Sequence, residues 1–195
     1  LNEQYPVIRD RARAEGAEIH WADEAGLRSD DVRGRSYAPV GKTPEIRIRR
    51  RREGLSIISS ITNRGKVRFK VFEGAMKAPL LIDFMRRLVR ESQKEGAPKV
   101  FLILDNLKVH HARQVQAWLQ DNKEHIEVFY LPSYSPELNP NELLNANLKA
   151  AITTQAPARR KGQLKEAAIG HLRHLQKSPK KVQQFFGKDS VKYAA

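Results

Sequence analysis

The sequence contains no cysteine, which excludes disulfides, thiolate nucleophiles and thiolate zinc sites. That absence suits a reducing cell interior. No apolar run approaches the ~20 residues that a membrane-spanning helix needs, and no signal-peptide pattern opens the chain. Phosphate-binding P-loops, dinucleotide glycine fingerprints and Gly-x-Ser-x-Gly elbows are missing as well, which leaves no sign of nucleotide-cofactor or serine-hydrolase chemistry. Acidic residues are in short supply: 22 against 36 Lys and Arg, a formal net charge of +14. Such an excess attracts a polyanion, nucleic acid before an anionic membrane surface. The chain opens Leu1-Asn2-Glu3 without methionine, so a preceding region is expected.

What is present fits one well-packed domain of 195 residues, 40% hydrophobic, with room for a modest appendage. Residues 1–17 are polar and charged and read as a short helix, arm or linker. Ile19 to Ala22 reads as a first strand that delivers Asp23 and Glu24 at its end. Asp30 to Pro44 reads as a long loop, followed by the positive run Arg47-Ile48-Arg49-Arg50-Arg51-Arg52. Leu55–Ile61 and Val67–Phe72, joined by Asn63-Arg64-Gly65-Lys66, predict a hairpin. Ala78-Pro79 opens a helix with Leu81, Phe84, Met85 and Leu88 on one face. Val100 to Leu104, five continuous apolar residues, predict a strand buried on both faces. His111 to Asp121 predicts a helix, Ile126 to Leu131 a strand, and Asn139-Pro140 the start of another helix. From Arg159 to Ala195 the chain has ten Lys or Arg against Glu166 and Asp189, with a helical stripe at Leu164, Ala168, His171, Leu172 and Leu175. Hairpin strands, then alternating strand and helix, then helices predict an α/β fold, a mixed sheet with helices on its faces. The expected organisation is a core domain over 18–157 with a basic helical extension over 158–195 packed on it.

The chemistry gathers on acids. Asp105 ends the apolar run, where open α/β sheets place their ligands. Asp23 and Glu24 stand in one remote cluster, and Glu137 and Glu142 in another. Three carboxylates from separate elements can clamp two cations about 3.5–4 Å apart for phosphodiester chemistry, and Mg²⁺ takes such oxygen ligands. Each acid has a plainer reading. Asp23 and Glu24 point to opposite faces of a strand, so only one is expected to face a site. Asp105-Asn106 also suits an Asx-turn, and Asn139 to Glu142 also suits a capping box. The adjacent His110 and His111 do not have zinc-motif spacing. The arginine run, Arg47 and Arg49 to Arg52, carries mutual repulsion that a DNA backbone relieves, so it is read as a DNA contact.

Together, Trp21-Ala22-Asp23-Glu24-Ala25-Gly26, Leu104-Asp105-Asn106 with His110, and Tyr134-Ser135-Pro136-Glu137-Leu138-Asn139-Pro140-Asn141-Glu142 resemble the signatures of DDE transposases. The pattern is similar to the bacterial insertion-sequence branch of the mariner superfamily. The segment Tyr37 to Pro44 agrees, and the resemblance covers most of residues 18–155. It implies a ribonuclease-H-like catalytic domain with Asp23, Asp105 and Glu142 as catalytic, metal-holding acids. It implies two Mg²⁺ ions, with Mn²⁺ as a substitute, and double-stranded DNA at transposon ends and targets as substrate. A homodimer on DNA and a bacterial, nucleoid-associated cytoplasmic location are also implied. His110 matches a recurrent histidine that contacts DNA or orients a ligand. Thirty-six residues separate Asp105 from Glu142, as in the bacterial branch, but the tryptophan common after the closing glutamate is replaced by Leu143-Leu144-Asn145. No amino-terminal helix-turn-helix module is visible, so the chain reads as a catalytic portion. A ribonuclease-H-like nuclease or resolvase, and an inactive nucleic-acid-binding relic, are the alternatives.

Overall fold

The computed structural model describes residues 4–31, 37, 39–42, 53–132, 135–154, 160 and 162–195. Arg47 and Arg49 to Arg52 lie outside the described residues. The greasy run becomes strand β4 (Lys99–Leu104), in which Val100 to Leu104 are all at most 1% exposed. Period-two alternation sends Phe101 and Ile103 to one face and Val100, Leu102 and Leu104 to the other. Both faces therefore need cover, and helices supply it.

Strand β1 (Ala17–Arg28) lies beside β4 and parallel to it. The predicted hairpin forms from β2 (Gly54–Ile61) and β3 (Val67–Phe72), with β2 antiparallel to β1. Strand β5 (Ile126–Tyr130) completes a five-stranded sheet in the order β3-β2-β1-β4-β5. Helix α2 (Ala78–Lys94) and helix α3 (Arg113–Asp121) bury Leu81, Phe84, Met85, Leu88 and Val115 against Ala22, Ile58, Val100 and Leu102. The predicted start of α3 at His111 is instead a separate 3₁₀ turn, Lys108–His111.

On the other face lie helix α1 (Gln4–Glu15), helix α4 (Asn141–Thr153), helix α5 (Gln163–Gln176) and the short helix α6 (Pro179–Gln183). Leu144 and Leu148 of α4, Leu172 of α5, Val182 of α6 and Phe186 share one core with Trp21 and Ile57. Tyr5 of α1 and Tyr193 near the carboxyl end flank the Trp21 ring, with centroids 5.4 and 5.7 Å away. Both chain ends thus pack over the middle of β1. Among the described residues no helix is long and apolar enough to cross a membrane.

The sequence places Asp23 and Glu24 at the end of a strand, but β1 continues five residues beyond Asp23, to Arg28. Its parallel pairing with β4 covers only Ala17 to Trp21, whereas its antiparallel pairing with β2 runs from Trp21 to Arg28. From Ala22 onward β1 therefore has β2 on one side and no β4 on the other. The hairpin partner extends the strand past the point at which β4 stops. That mismatch of lengths opens a crevice beside Asp23.

Because the basic carboxyl-terminal helices fill the same core as the sheet, they are structural. Leu172→Ala removes a fully buried side chain, and an expected loss of about 2–5 kcal/mol should appear in urea unfolding followed by circular dichroism. A loss below ~1 kcal/mol would show that α5 merely rests on the domain.

Candidate active site

Three separate stretches of chain meet in the crevice. Asp23, Asp105 and Glu142 line one cavity of about 390 Å³, together with Asn106, Lys108, Leu131 and Asn139. Asp23 is 8% exposed. The Asp105 side chain is 36% exposed, and Glu142 is half-buried. Glu137, in the same acidic cluster as Glu142 along the chain, is exposed and does not line the cavity.

The asparagine-rich element before α4 fixes Glu142 in place. Asn139 donates through Nδ2 to the carbonyl of Ala22 at 3.0 Å, and its Oδ1 accepts from the backbone N–H of Asn141 at 3.0 Å. Asn141 donates to the carbonyl of Ser59 at 2.6 Å and accepts from the Ser59 hydroxyl at 3.1 Å. These two buried amides tie the first turn of α4 to β1 and to β2. A side chain that both donates and accepts is needed here, because it must bond to the helix start and to strand backbone at once. Tyr193 adds a third tie, its hydroxyl donating to the carbonyl of Leu138 at 2.5 Å. The cap position of α4 falls on Pro140, one residue later than the Asn139 cap read from the sequence, and it carries no side-chain capping bond. Asn139 reaches the first helical amide from the residue before that cap.

Sequence reasoning missed Asn145. Three residues beyond Glu142, it lies on the same helical face, and its Nδ2 donates to Asp23 Oδ2 at 2.8 Å. Its Oδ1 is buried without a hydrogen-bond partner. The helical spacing was the available signal.

Glu24 lies on the opposite face of β1 from Asp23, as the alternation predicts. It is nonetheless part of the same region: its Oε1 lies 3.6 Å from His110 Nε2, and His110 Nδ1 lies 3.2 Å from Asp105 Oδ1. His110 is 1% exposed. Of the two roles read for it, burial favours orienting a ligand over touching DNA. The other histidines do not gather into a metal site. His20 is buried against Glu18 and Ser60, at 2.9 and 3.3 Å.

The crevice is crowded with negative charge. Burial first, then the neighbouring Glu142 and Asp105, push the Asp23 carboxyl up to about 7 from an ordinary 3.8. Asp105 is also raised, by burial and then by Glu24 and Glu142, against the opposing pull of His110. Burial works against a charged His110 ring, but Glu24 and Asp105 outweigh it and hold its pKa above the ordinary value. Among the described residues, no three His, Asp or Glu side chains stand close enough together to form a ready-made ion cage. The all-oxygen donor set, with Asp23 and Asp105 both raised, fits a hard divalent cation, which would bring both carboxyls back down.

This crowding should be visible in stability. The proton on Asp23 is held more tightly in the folded chain than in the unfolded one. Its contribution is fully present below about pH 4 and is lost as the pH rises through about 7. In urea unfolding with a chelator present, Asp23→Asn should gain on the wild type by a few kcal/mol between pH 4.5 and pH 8, at about 1.4 kcal/mol per pKa unit. An unchanged difference between the two proteins at both pH values would contradict the shift.

Over 74 residues, 38% of this chain and 21% of the relative, the sequence is 36% identical to an insertion element IS630 uncharacterized 39 kDa protein of Shigella sonnei. The fold matches the crystal structure of the catalytic domain of Mos1 mariner transposase with a TM-score of 0.62, covering 98% of this chain and 90% of that one at 17% identity. It matches the mariner Mos1 paired end complex with Mg at a TM-score of 0.65 and 18% identity, covering 97% of this chain but 60% of that one. The chain thus spans less than two-thirds of the length of these longer relatives. The architecture is the ribonuclease-H-like mixed sheet that the resemblance implied. The sequence profile of the DDE superfamily endonucleases matches residues 18–165, and the chain belongs to that family.

Proposed function

We propose that this chain is the catalytic part of a transposase that cuts DNA at transposon ends and joins the freed ends to target DNA. The observation that carries this reading is the shared cavity: Asp23 from β1, Asp105 after β4 and Glu142 from α4 line one crevice in a chain of the DDE endonuclease family. In this reading, Asp23, Asp105 and Glu142 hold two Mg²⁺ ions, with Mn²⁺ as a substitute. Bound there, the ions supply Lewis-acid stabilisation of the scissile phosphate and of the attacking and leaving oxygens.

The residues divide the remaining work. Asp23 is the deepest acid, and the amide of Asn145 holds one of its oxygens. Asp105 is more open than Asp23 to an approaching phosphate, and Glu142 enters from helix α4. Lys108 is exposed on the rim of the cavity and offers a cation to a neighbouring phosphate. In the cutting step, an oxygen from water bonds to phosphorus and the bond to the 3′-oxygen breaks, leaving a 3′-hydroxyl. In the joining step that hydroxyl attacks a phosphate of the target and displaces a 3′-oxygen. The net charge of +14 supplies the long-range attraction to duplex DNA, and the arginines of Arg47 to Arg52 are proposed to contribute to it. By likeness to the paired end complex, the working form is proposed to be a homodimer that bridges two DNA ends.

Asp105→Asn should abolish metal-dependent nicking and joining of a labelled transposon-end duplex, a loss of at least 10³-fold on the scale of removing a catalytic group. DNA affinity in a gel-shift assay should stay equal to the wild type or rise. Wild-type-like cleavage by this variant would discard the reading. Cutting without any joining to a target duplex would favour a simple nuclease instead.

A further inference from the structure

Asp105 has a weaker backbone anchor than the other two acids. Asp23 sits within β1 and Glu142 within α4, but Asp105 follows the last residue of β4, in a stretch without ladder or helix bonds before the 3₁₀ turn begins at Lys108. Something else must hold its carboxylate in position. The buried ring of His110 reaches back to do so. Its Nδ1 lies 2.9 Å from the backbone oxygen of Asp105 and 3.2 Å from the side-chain Oδ1. Both are acceptors, so Nδ1 carries the hydrogen.

His110 is itself held at its backbone and at its ring. The carbonyl of His110 accepts hydrogen bonds from Gln116 Nε2 and from the Tyr130 hydroxyl, each at 3.2 Å. On the far side of the ring, Nε2 faces Glu24 Oε1 at 3.6 Å. Both of those atoms are buried and have no hydrogen-bond partner, so the ion pair between them is what each has. The series Glu24, His110, Asp105 therefore runs from β1 to the end of β4 across the gap that opens where their pairing stops.

We propose that Glu24 and His110 are positioning residues that act as one unit, fixing the carboxylate of Asp105 for the cation that the crevice takes. This gives the adjacent pair Asp23-Glu24 a purpose on both faces of β1. Asp23 meets the crevice directly, and Glu24 reaches it from behind through His110. Partners that orient a metal-holding carboxylate in this way commonly carry a 10–100-fold effect on metal affinity. The inference rests on the reading of Asp105 as an ion ligand.

Mn²⁺ binding to the chain without DNA, measured by titration calorimetry, separates the two claims. Asp105→Asn should abolish binding. Glu24→Ala, shown by circular dichroism to be folded, should weaken it roughly 10–100-fold. His110→Ala should do the same, and the double variant should lose no more than the worse single, because the residues act in series. Glu24→Gln keeps a hydrogen-bonding group against Nε2 and should stay within several-fold of the wild type. If Asp105→Asn abolishes binding while Glu24→Ala binds Mn²⁺ like the wild type, the positioning unit is overturned and the ligand reading survives. Losses that multiply in the double variant overturn it too. If Asp105→Asn binds normally, the ligand reading itself falls, and the unit falls with it.

Discussion

Three carboxylates that share a partly desolvated crevice repel one another, and the folded chain holds them there with only His110 beside Asp105 and Lys108 at the cavity wall as positive groups. Asp23 shows the strain most clearly, since burial and Glu142 lift its proton affinity into the neutral range. The surrounding structure is organised to bear that cost. The sheet core, the aromatic contacts of Trp21 with Tyr5 and Tyr193, and the amides of Asn139 and Asn141 all bind the elements that carry the acids. None of these ties neutralises the charge. They fix position and leave the electrostatic deficit for a cation to satisfy.

That division shapes how a DNA substrate can be held. Over the whole chain positive charge is in excess, and it draws a polyanion from a distance. At the crevice the sign is reversed, so a phosphate approaching Asp105 and Glu142 meets repulsion unless divalent cations lie between. Productive seating of the scissile phosphate and uptake of metal are therefore coupled by simple electrostatics. In the proposed reading, phosphates elsewhere along a duplex would meet the basic surface without that requirement.

Much of this was legible in the sequence. The apolar run before Asp105, the hairpin around Asn63 to Lys66 and the apolar faces of the helices each follow from period and turn chemistry, which act locally. The family signature joined three acids that lie far apart along the chain. Local reasoning failed where neighbouring strands set the outcome. The end of β1 was placed too early because nothing in Glu24 to Arg28 shows that β2 pairs beyond β4. The rule that only one of Asp23 and Glu24 faces a site holds for the strand, yet Glu24 is linked to the crevice through His110. Asn145, Asn141 and Tyr193 act through partners 122, 82 and 55 residues away. Such pairings depend on tertiary packing, and spacing alone does not reveal them.

The central claim is that Asp23, Asp105 and Glu142 close on divalent cations once these are supplied. The most direct test is a crystal of this chain soaked in Mn²⁺ and measured at the manganese absorption edge. Anomalous peaks bridged by the three carboxylates, with the side chains drawn inward, are the predicted result. A well-ordered crevice without such peaks, or manganese bound only at surface sites away from it, would contradict the account.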